Sequence, residues 1–221
     1  MDNCLITGGS GLLGKYLVPL LAKYKPGYKV ICPTHQEMDL TKKIKPIEGI
    51  GLIVHAAAWT DVELAEYCPR PCFNVNAWGT ERLINAYPDT PFVYISTEYA
   101  YNPVNNYALS KLLGETIIKN NCRNYLIIRT LFKPTPWPWD KAFGDQNTKG
   151  DYVDIMAPLL AKKIKRWDRR GGEMRLIGTG YKTMYGLAKR TRPDAIENSI
   201  YDMPYPIPSM VNYDLVSWGG K

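Results

Sequence analysis

Along roughly the first 130 positions the apolar residues alternate between short continuous runs and longer stretches of helical period. The runs Cys4–Thr7, Lys29–Cys32, Gly51–Ala58, Phe92–Ser96 and Tyr125–Thr130 are predicted strands, because strands covered on both faces read as apolar blocks. Between them Gly11–Tyr24, Asp61–Tyr67, Pro71–Tyr87 and Tyr107–Asn120 are predicted helices, the first stopped by Lys25-Pro26-Gly27. This alternation predicts an α/β chain with a Rossmann-type, doubly wound parallel sheet. After Thr130 the pattern loosens. Lys133–Trp139 carries three prolines, which remove amide donors and exclude a regular helix or central strand. A helix over Asp151–Trp167, a strand over Arg175–Ile177 and a helix over Thr183–Lys189 follow, then an irregular tail around Pro204, Pro206 and Pro208. The expected division is a sheet domain over 1–130 and a small, truncated, loop-rich lobe over 131–221 packed on it.

Composition narrows the class. With 45% apolar and 22% charged residues, the chain of 221 has the profile of a globular protein with a real core. No run approaches the ~18 apolar residues of a membrane span, and Met1-Asp2-Asn3 leads into a strand without a basic leader, so a cytoplasmic protein is expected. Five cysteines are an odd number for a disulfide framework, and Cys68 and Cys72 lack zinc-knuckle spacing, so no metal is expected. The net charge of +7 is densest over Lys162–Arg170, which reads as a solvated helix end rather than a nucleic-acid element.

The chemistry begins at Thr7-Gly8-Gly9-Ser10-Gly11-Leu12-Leu13-Gly14, set between the first strand and first helix. Glycines at 8, 11 and 14 permit a tight turn in which backbone N–H groups approach a pyrophosphate at a helix N-terminus. In this strand–turn–helix context the loop is a dinucleotide site, held by Gly8, Ser10, Gly11, Leu12, Leu13 and Gly14. A carboxylate after the second strand would hold a ribose 2′-hydroxyl and indicate NAD. Cys32-Pro33-Thr34-His35 offers none, which favours NADP(H) while leaving NAD(H) open, with Thr34 and His35 near a 2′-phosphate. Asp39 and Leu40 border the adenine, or Asp39 caps a helix.

Farther along, Tyr107 and Lys111 share one face of a predicted helix. A neighbouring ammonium lowers a phenol's pKa, and such a phenol can give a proton to a carbonyl oxygen. The strand before it ends Tyr94-Ile95-Ser96-Thr97, bringing the Thr97 hydroxyl to the sheet edge where ligands of open α/β sheets bind.

With these motifs, and with Met38-Asp39-Leu40-Thr41, Val54–Val62, Asn74–Thr80 and Phe92–Tyr99, the chain resembles the extended short-chain dehydrogenase/reductases, and among them the dTDP-4-dehydrorhamnose reductase family. The resemblance covers 1–130 and thins toward Gly178–Thr183. It implies an NAD(P)-binding Rossmann domain, a substrate lobe, and reduction of a 4-keto group on a nucleotide-linked 6-deoxy sugar. By position, Thr97 would bond the substrate carbonyl, Tyr107 would be the general acid, and Lys111 would tune it and bind ribose. Ala56, Ala57 and Ala58 would leave room for the cofactor, and Asn76 would orient backbone near the site or serve as an ordinary capping residue. Arg129, Lys182 and Arg190 are candidate diphosphate contacts. The implied partner is a nucleotide-sugar, with neither nucleic acid nor membrane, and the assembly a homodimer. Glu98 stands where the family usually has Asp, and the segment from Thr97 to Tyr107 is short, so a more open site is expected. A nucleotide-binding regulatory subunit, or an epimerase or dehydratase of the same superfamily, are the competing functions.

Overall fold

The computed structural model describes residues 3–24 and 29–209, so the predicted stop at 25–27 and the last residues of the tail lie outside the described residues. In chain order the Rossmann part runs β1 (Asn3–Thr7), α1 (Gly14–Tyr24), β2 (Val30–Ile31), β3 (Ile50–His55), α2 (Val62–Tyr67), α3 (Pro69–Phe73), α4 (Gly79–Ala86), β4 (Phe92–Thr97), α5 (Asn106–Asn121) and β5 (Tyr125–Thr130). Then come β6 (Phe132–Lys133), β7 (Lys141–Phe143), β8 (Asn147–Thr148), β9 (Asp151–Tyr152), α6 (Val153–Arg166), β10 (Gly172–Leu176), β11 (Lys182–Thr183), α7 (Met184–Ala188) and β12 (Ile196–Asn198).

Six strands form one parallel sheet in the order β10-β5-β4-β3-β1-β2. The strand order reverses between β1 and β3, the crevice where ligands of such sheets bind. One face is sealed by α1 and α6, with Leu17, Leu21, Leu160 and Ile164 packed on Ile6, Val54, Val93 and Ile128. The other is sealed by Leu83, Ile84, Ile117 and Ile118 on Leu5, Ile53, Tyr94 and Ile127. Both faces are therefore apolar, which is why these strands lack alternation.

Three expectations are corrected. The first helix starts at Gly14 rather than Gly11, because residues 11–13 are still turning out of the glycine loop. The helix over Pro71–Tyr87 is broken: Asn74–Trp78 is a π-helical turn between α3 and α4, and the cap of Gly79 N–H on Asn74 O spans five residues. The strand expected over Arg175–Ile177 is Gly172–Leu176, and it joins the central sheet beside β5. With α6 beneath it, the chain after 130 thus completes the main sheet as well as building the lobe. The lobe proper has its own small core of Leu131, Trp137, Tyr152, Met184 and Leu187.

Candidate functional site

The crevice is shaped by the glycine turn. Gly8 has φ 72°, and a Cβ there would lie 2.6 Å from Ala57 N, so the turn packs directly on the end of β3. A Cβ on Gly14 would lie 2.2 Å from Gly8 O. The turn closes through Gly11 N–H donating to Gly8 O at 3.0 Å, while Ser10 and Leu12 stay exposed. Among the described residues the N–H groups of Ser10, Leu12 and Leu13 meet no protein acceptor, which fits an anion at the start of α1. Replacing Gly14 by alanine should force this backbone apart. A loss of about 1–3 kcal/mol in urea unfolding is expected, together with weakened NADPH binding by fluorescence titration.

Behind the turn a buried relay holds the strand ends. Thr7 Oγ1 lies 2.6 Å from His55 Nδ1 and accepts from Ala57 N–H at 3.2 Å, while His55 Nε2 lies 3.0 Å from Thr80 Oγ1. Burial pushes His55 down to about 3, so the imidazole is a neutral strut. Asn76, on the π-helical turn, accepts from Trp59 N–H at 2.8 Å and donates to Trp59 O at 3.1 Å and Ser110 Oγ at 2.9 Å. It orients the backbone after β3 and ties it to α5.

Gly8, Ser10, Leu40, Ala57 and Ala58 line one cleft of about 260 Å³ with Thr34 and His35. Gly11, Leu12, Leu13, Gly14 and Ala56 belong to the same turn and strand end but not to its lining. Asp39 is turned to its own loop: its Oδ1 accepts from Thr41 N–H and Thr41 Oγ1 at 2.9 and 2.7 Å, which holds its carboxyl down at about 2. Thr34 is also occupied, its N–H and hydroxyl both donating to Glu37 Oε2 at 2.7 and 2.9 Å. A carboxylate three residues beyond Thr34 therefore folds back to the end of β2.

The second half of the site is the start of α5. Asn105 caps that helix, accepting from Ala108 N–H at 2.8 Å, and so fixes Tyr107 in the first turn. Tyr107 lies on the side of α5 toward Thr97, whose hydroxyl accepts from Tyr99 N–H at 3.2 Å; burial pushes the phenol up to about 12 and the neighbouring Thr97 hydroxyl offsets part of that rise. Lys111 follows one turn later and is 2% exposed. The expected lowering of the phenol by the ammonium is corrected here: Lys111 Nζ donates to Ile95 O at 2.8 Å and lies 4.0 Å from the Tyr94 ring centroid. Burial pulls Lys111 down to about 7.

That value has a thermodynamic consequence. An unfolded lysine keeps its proton to about pH 10.4, so between about pH 7 and 10 the folded chain binds fewer protons and gains stability as pH rises. The melting temperature of the wild type should therefore climb relative to Lys111→Met between about pH 7 and 9.5. Parallel curves would show a lysine titrating normally.

A larger cavity of about 710 Å³ opens beyond Tyr99, whose ring stands edge-on to Tyr107 with centroids 6.3 Å apart. The proline-rich loop and the tail wall it with Trp137, Trp139 and Tyr205. The tail is anchored by Asn105 Nδ2 donating to Pro206 O at 3.1 Å and Gln146 Nε2 to Pro208 O at 2.9 Å. Thr97 itself is only 4% exposed.

All three candidate diphosphate cations are engaged inside the protein. Arg129 Nε and Nη2 donate to Glu115 at 2.8 and 2.6 Å, and Ser96 Oγ adds a bond of 2.6 Å to the same carboxylate. Arg190 and Lys182 both pair with Asp151, at 2.8 and 3.5 Å. Glu98 is buried and accepts from the Thr148 hydroxyl and from Lys149 N–H. Tyr99, Lys133, Gln146 and the two tryptophans were not singled out from the sequence. For the two tryptophans the signal was the aromatic content of the Lys133–Trp139 loop, which reads only as irregular until the cavity is seen; Tyr99 and Gln146 carried none.

A parallel sheet with a glycine turn at its switch point and a lobe over its C-terminal edge defines a Rossmann-type α/β protein. Residues 2–163 match the RmlD substrate binding domain, and the chain belongs to that family. It is 30% identical over 141 residues to the UDP-N-acetylglucosamine 4,6-dehydratase (inverting) of Campylobacter jejuni, covering 52% of this chain and 42% of that protein. It is 28% identical over 180 residues to the dTDP-4-dehydrorhamnose reductase of Mycolicibacterium smegmatis, covering 72% of this chain and 51% of that one. The chain thus spans about half, or less, of the length of these curated relatives. Its fold is shared with the crystal structure of the dTDP-4-dehydrorhamnose reductase of Bacillus anthracis in complex with NADP, with a TM-score of 0.75, 22% identity and coverage of 93% and 88% of the two chains. Among the described residues no helix is long and apolar enough to cross a membrane.

Proposed function

We propose that the protein is an NAD(P)H-dependent reductase of a nucleotide-linked 4-keto-6-deoxy sugar. The observation that carries this is the placing of Tyr107 and Lys111 one helical turn apart at the start of α5, beside Thr97 at the end of β4, on the C-terminal edge of a sheet whose tight glycine turn opens α1. Family membership and the reductase and dehydratase relatives support the substrate class.

Gly8, Ser10, Gly11, Leu12, Leu13 and Gly14 would hold the diphosphate of the cofactor, Leu40 would cover the adenine, and Ala56, Ala57 and Ala58 would give the ribose room. When bound, the reduced nicotinamide supplies a hydride to the keto carbon. Thr97 donates a hydrogen bond to the keto oxygen, and Tyr107 passes it a proton, which a phenol titrating near 12 still holds at neutral pH. Lys111, freed from Ile95 O, would bond the ribose hydroxyls and steady the phenolate left behind.

Between cofactors, His35 beside the cleft favours the phosphate of NADP(H), whereas Glu37 at Thr34 opposes it and accommodates NAD(H). We retain NADP(H) as the preferred partner, and a ratio of kcat/KM values that favours NADH would reverse the assignment. The five free cysteines suit a cytoplasmic setting. The direct test is oxidation of NADPH or NADH with dTDP-4-keto-6-deoxyglucose and its UDP counterpart. Turnover is expected with at least one pair. Cofactor binding without turnover would mark a regulatory subunit, and NAD retained through purification would mark an epimerase or dehydratase.

A further inference from the structure

Among the cations near the sheet's C-terminal edge, Arg129, Lys182 and Arg190 are spent on Glu115 and Asp151. Lys133 differs. It lies in β6, immediately after the central sheet, and lines the cavity beyond Tyr99. Its backbone is held by the parallel pairing of β6 with β9, Lys133 opposite Tyr152, so the side chain springs from a fixed base. Its Nζ stands 5.2 Å from the Trp139 ring centroid. Among the described residues it has neither a hydrogen-bond acceptor nor a carboxylate within ion-pair distance. The nearby charge is Glu98, whose oxygens already accept from Thr148 and Lys149. A half-buried ammonium that faces a roomy, aromatic-walled cavity without an acceptor is a cation kept for something that enters the cavity.

We propose that Lys133 reads negative charge on the substrate, receiving an anionic oxygen either from the diphosphate of the nucleotide-sugar or from a carboxylate on its sugar ring. This rests on the reductase reading and specifies the substrate class for the same site. Burial pulls the amine down to about 8, so it still carries its proton at neutral pH, and an arriving anion would hold that proton more firmly. The adjacent aromatic rings offer flat apolar faces to a base or sugar, and Lys133, with Lys141 also on the wall, supplies positive charge in a lining that carries Asp61 and Glu63 as well.

Calorimetric titration of the full chain tests this without requiring turnover. The probes are dTDP against thymidine, and UDP-glucuronic acid against UDP-glucose, each on wild type, Lys133→Met and Lys133→Arg. If the diphosphate is read, Lys133→Met weakens dTDP by about ten- to a hundredfold and leaves thymidine alone. If a sugar carboxylate is read, dTDP is unaffected and the preference for UDP-glucuronic acid over UDP-glucose disappears. In either case Lys133→Arg, which keeps the charge, recovers most of the affinity, and an unchanged melting temperature shows that the methionine variant is folded. Equal binding of every probe by wild type and Lys133→Met overturns the inference, as does a wild type that binds none of them. Lys133-dependent binding in a protein that reduces no keto sugar would overturn the reductase reading alone. Turnover indifferent to Lys133 would overturn the inference alone.

Discussion

Tyr107→Phe is expected to lower kcat by about 10²–10⁴ while leaving cofactor affinity intact. The substitution removes one oxygen from a ring that otherwise stays in place, packed edge-on against Tyr99 on a helix start fixed by Asn105. What disappears is the proton for the keto oxygen. Among the described residues beside it, neither neighbour is placed to replace it. Thr97 cannot release a proton at neutral pH, and Lys111 is turned to Ile95 O. Stopped-flow reduction of a 4-keto sugar separates the outcomes: the mutant should bind NADPH as the wild type does and then fail to consume it. Turnover within about threefold of wild type would take Tyr107 out of the mechanism, because general acid catalysis is worth far more than that. Thr97→Val should cost less, since it removes a hydrogen bond to the carbonyl rather than the proton source.

The second large effect is on stability. Arg129→Ala should destabilise the protein by about 3–5 kcal/mol, because it strands a carboxylate at the sheet–helix interface. The Glu115 side chain is 0% exposed and that of Arg129 6%, and the guanidinium also lies over Tyr101 with 4.3 Å to the ring centroid. Lys119, paired with Glu115 at 3.9 Å but partly exposed, compensates only weakly because water screens it. At this chain length such a loss corresponds to a melting temperature lower by about 6–20 °C. Replacing both partners together, as Arg129→Met with Glu115→Leu, should recover most of it, because the desolvation cost of both charges is then relieved. The opposite pattern, a raised KM with unchanged stability, is what a diphosphate-binding Arg129 would give. Urea unfolding beside steady-state kinetics distinguishes the two.

What the sequence disclosed, and what it hid, divides along a physical line. The strands β1, β3, β4 and β5 were legible because a strand buried on both faces must be apolar throughout, and that demand is local. The glycine turn was legible for a similar reason: the clash at Gly14 is with Gly8 and Gly9, inside the same eight residues. Pairing across the fold was not. Nothing around Arg129 announces that Glu115 will lie against it, nor around Arg190 that Asp151 will, so these residues looked like free surface cations. The π-helical turn at Asn74–Trp78 was hidden because its composition is that of an ordinary helix, and the bonds of its Asn76 run to Trp59 and Ser110 on other elements. Lys133 was invisible for the converse reason. Its significance is that, among the described residues, it faces Trp139 without a hydrogen-bond acceptor or a paired carboxylate, which emerges only when the chain has folded round it.

The lobe shows the same division. Its prolines were correctly a sign of irregular backbone, yet Trp137 packs into a small core while Trp139 stands half out over Lys133. Which of two nearby tryptophans faces inward depends on α7 and β9, whose residues are far away in sequence.

The most direct measurement is the crystal structure of the protein with NADP(H) soaked or co-crystallised. The pyrophosphate should lie on the N–H groups of Ser10, Leu12 and Leu13, the nicotinamide ring should reach Thr97 and Tyr107, and the Lys111 ammonium should leave Ile95 O for the ribose. A nicotinamide held away from Tyr107, or Lys111 still bonded to Ile95 with the ribose elsewhere, would contradict the account.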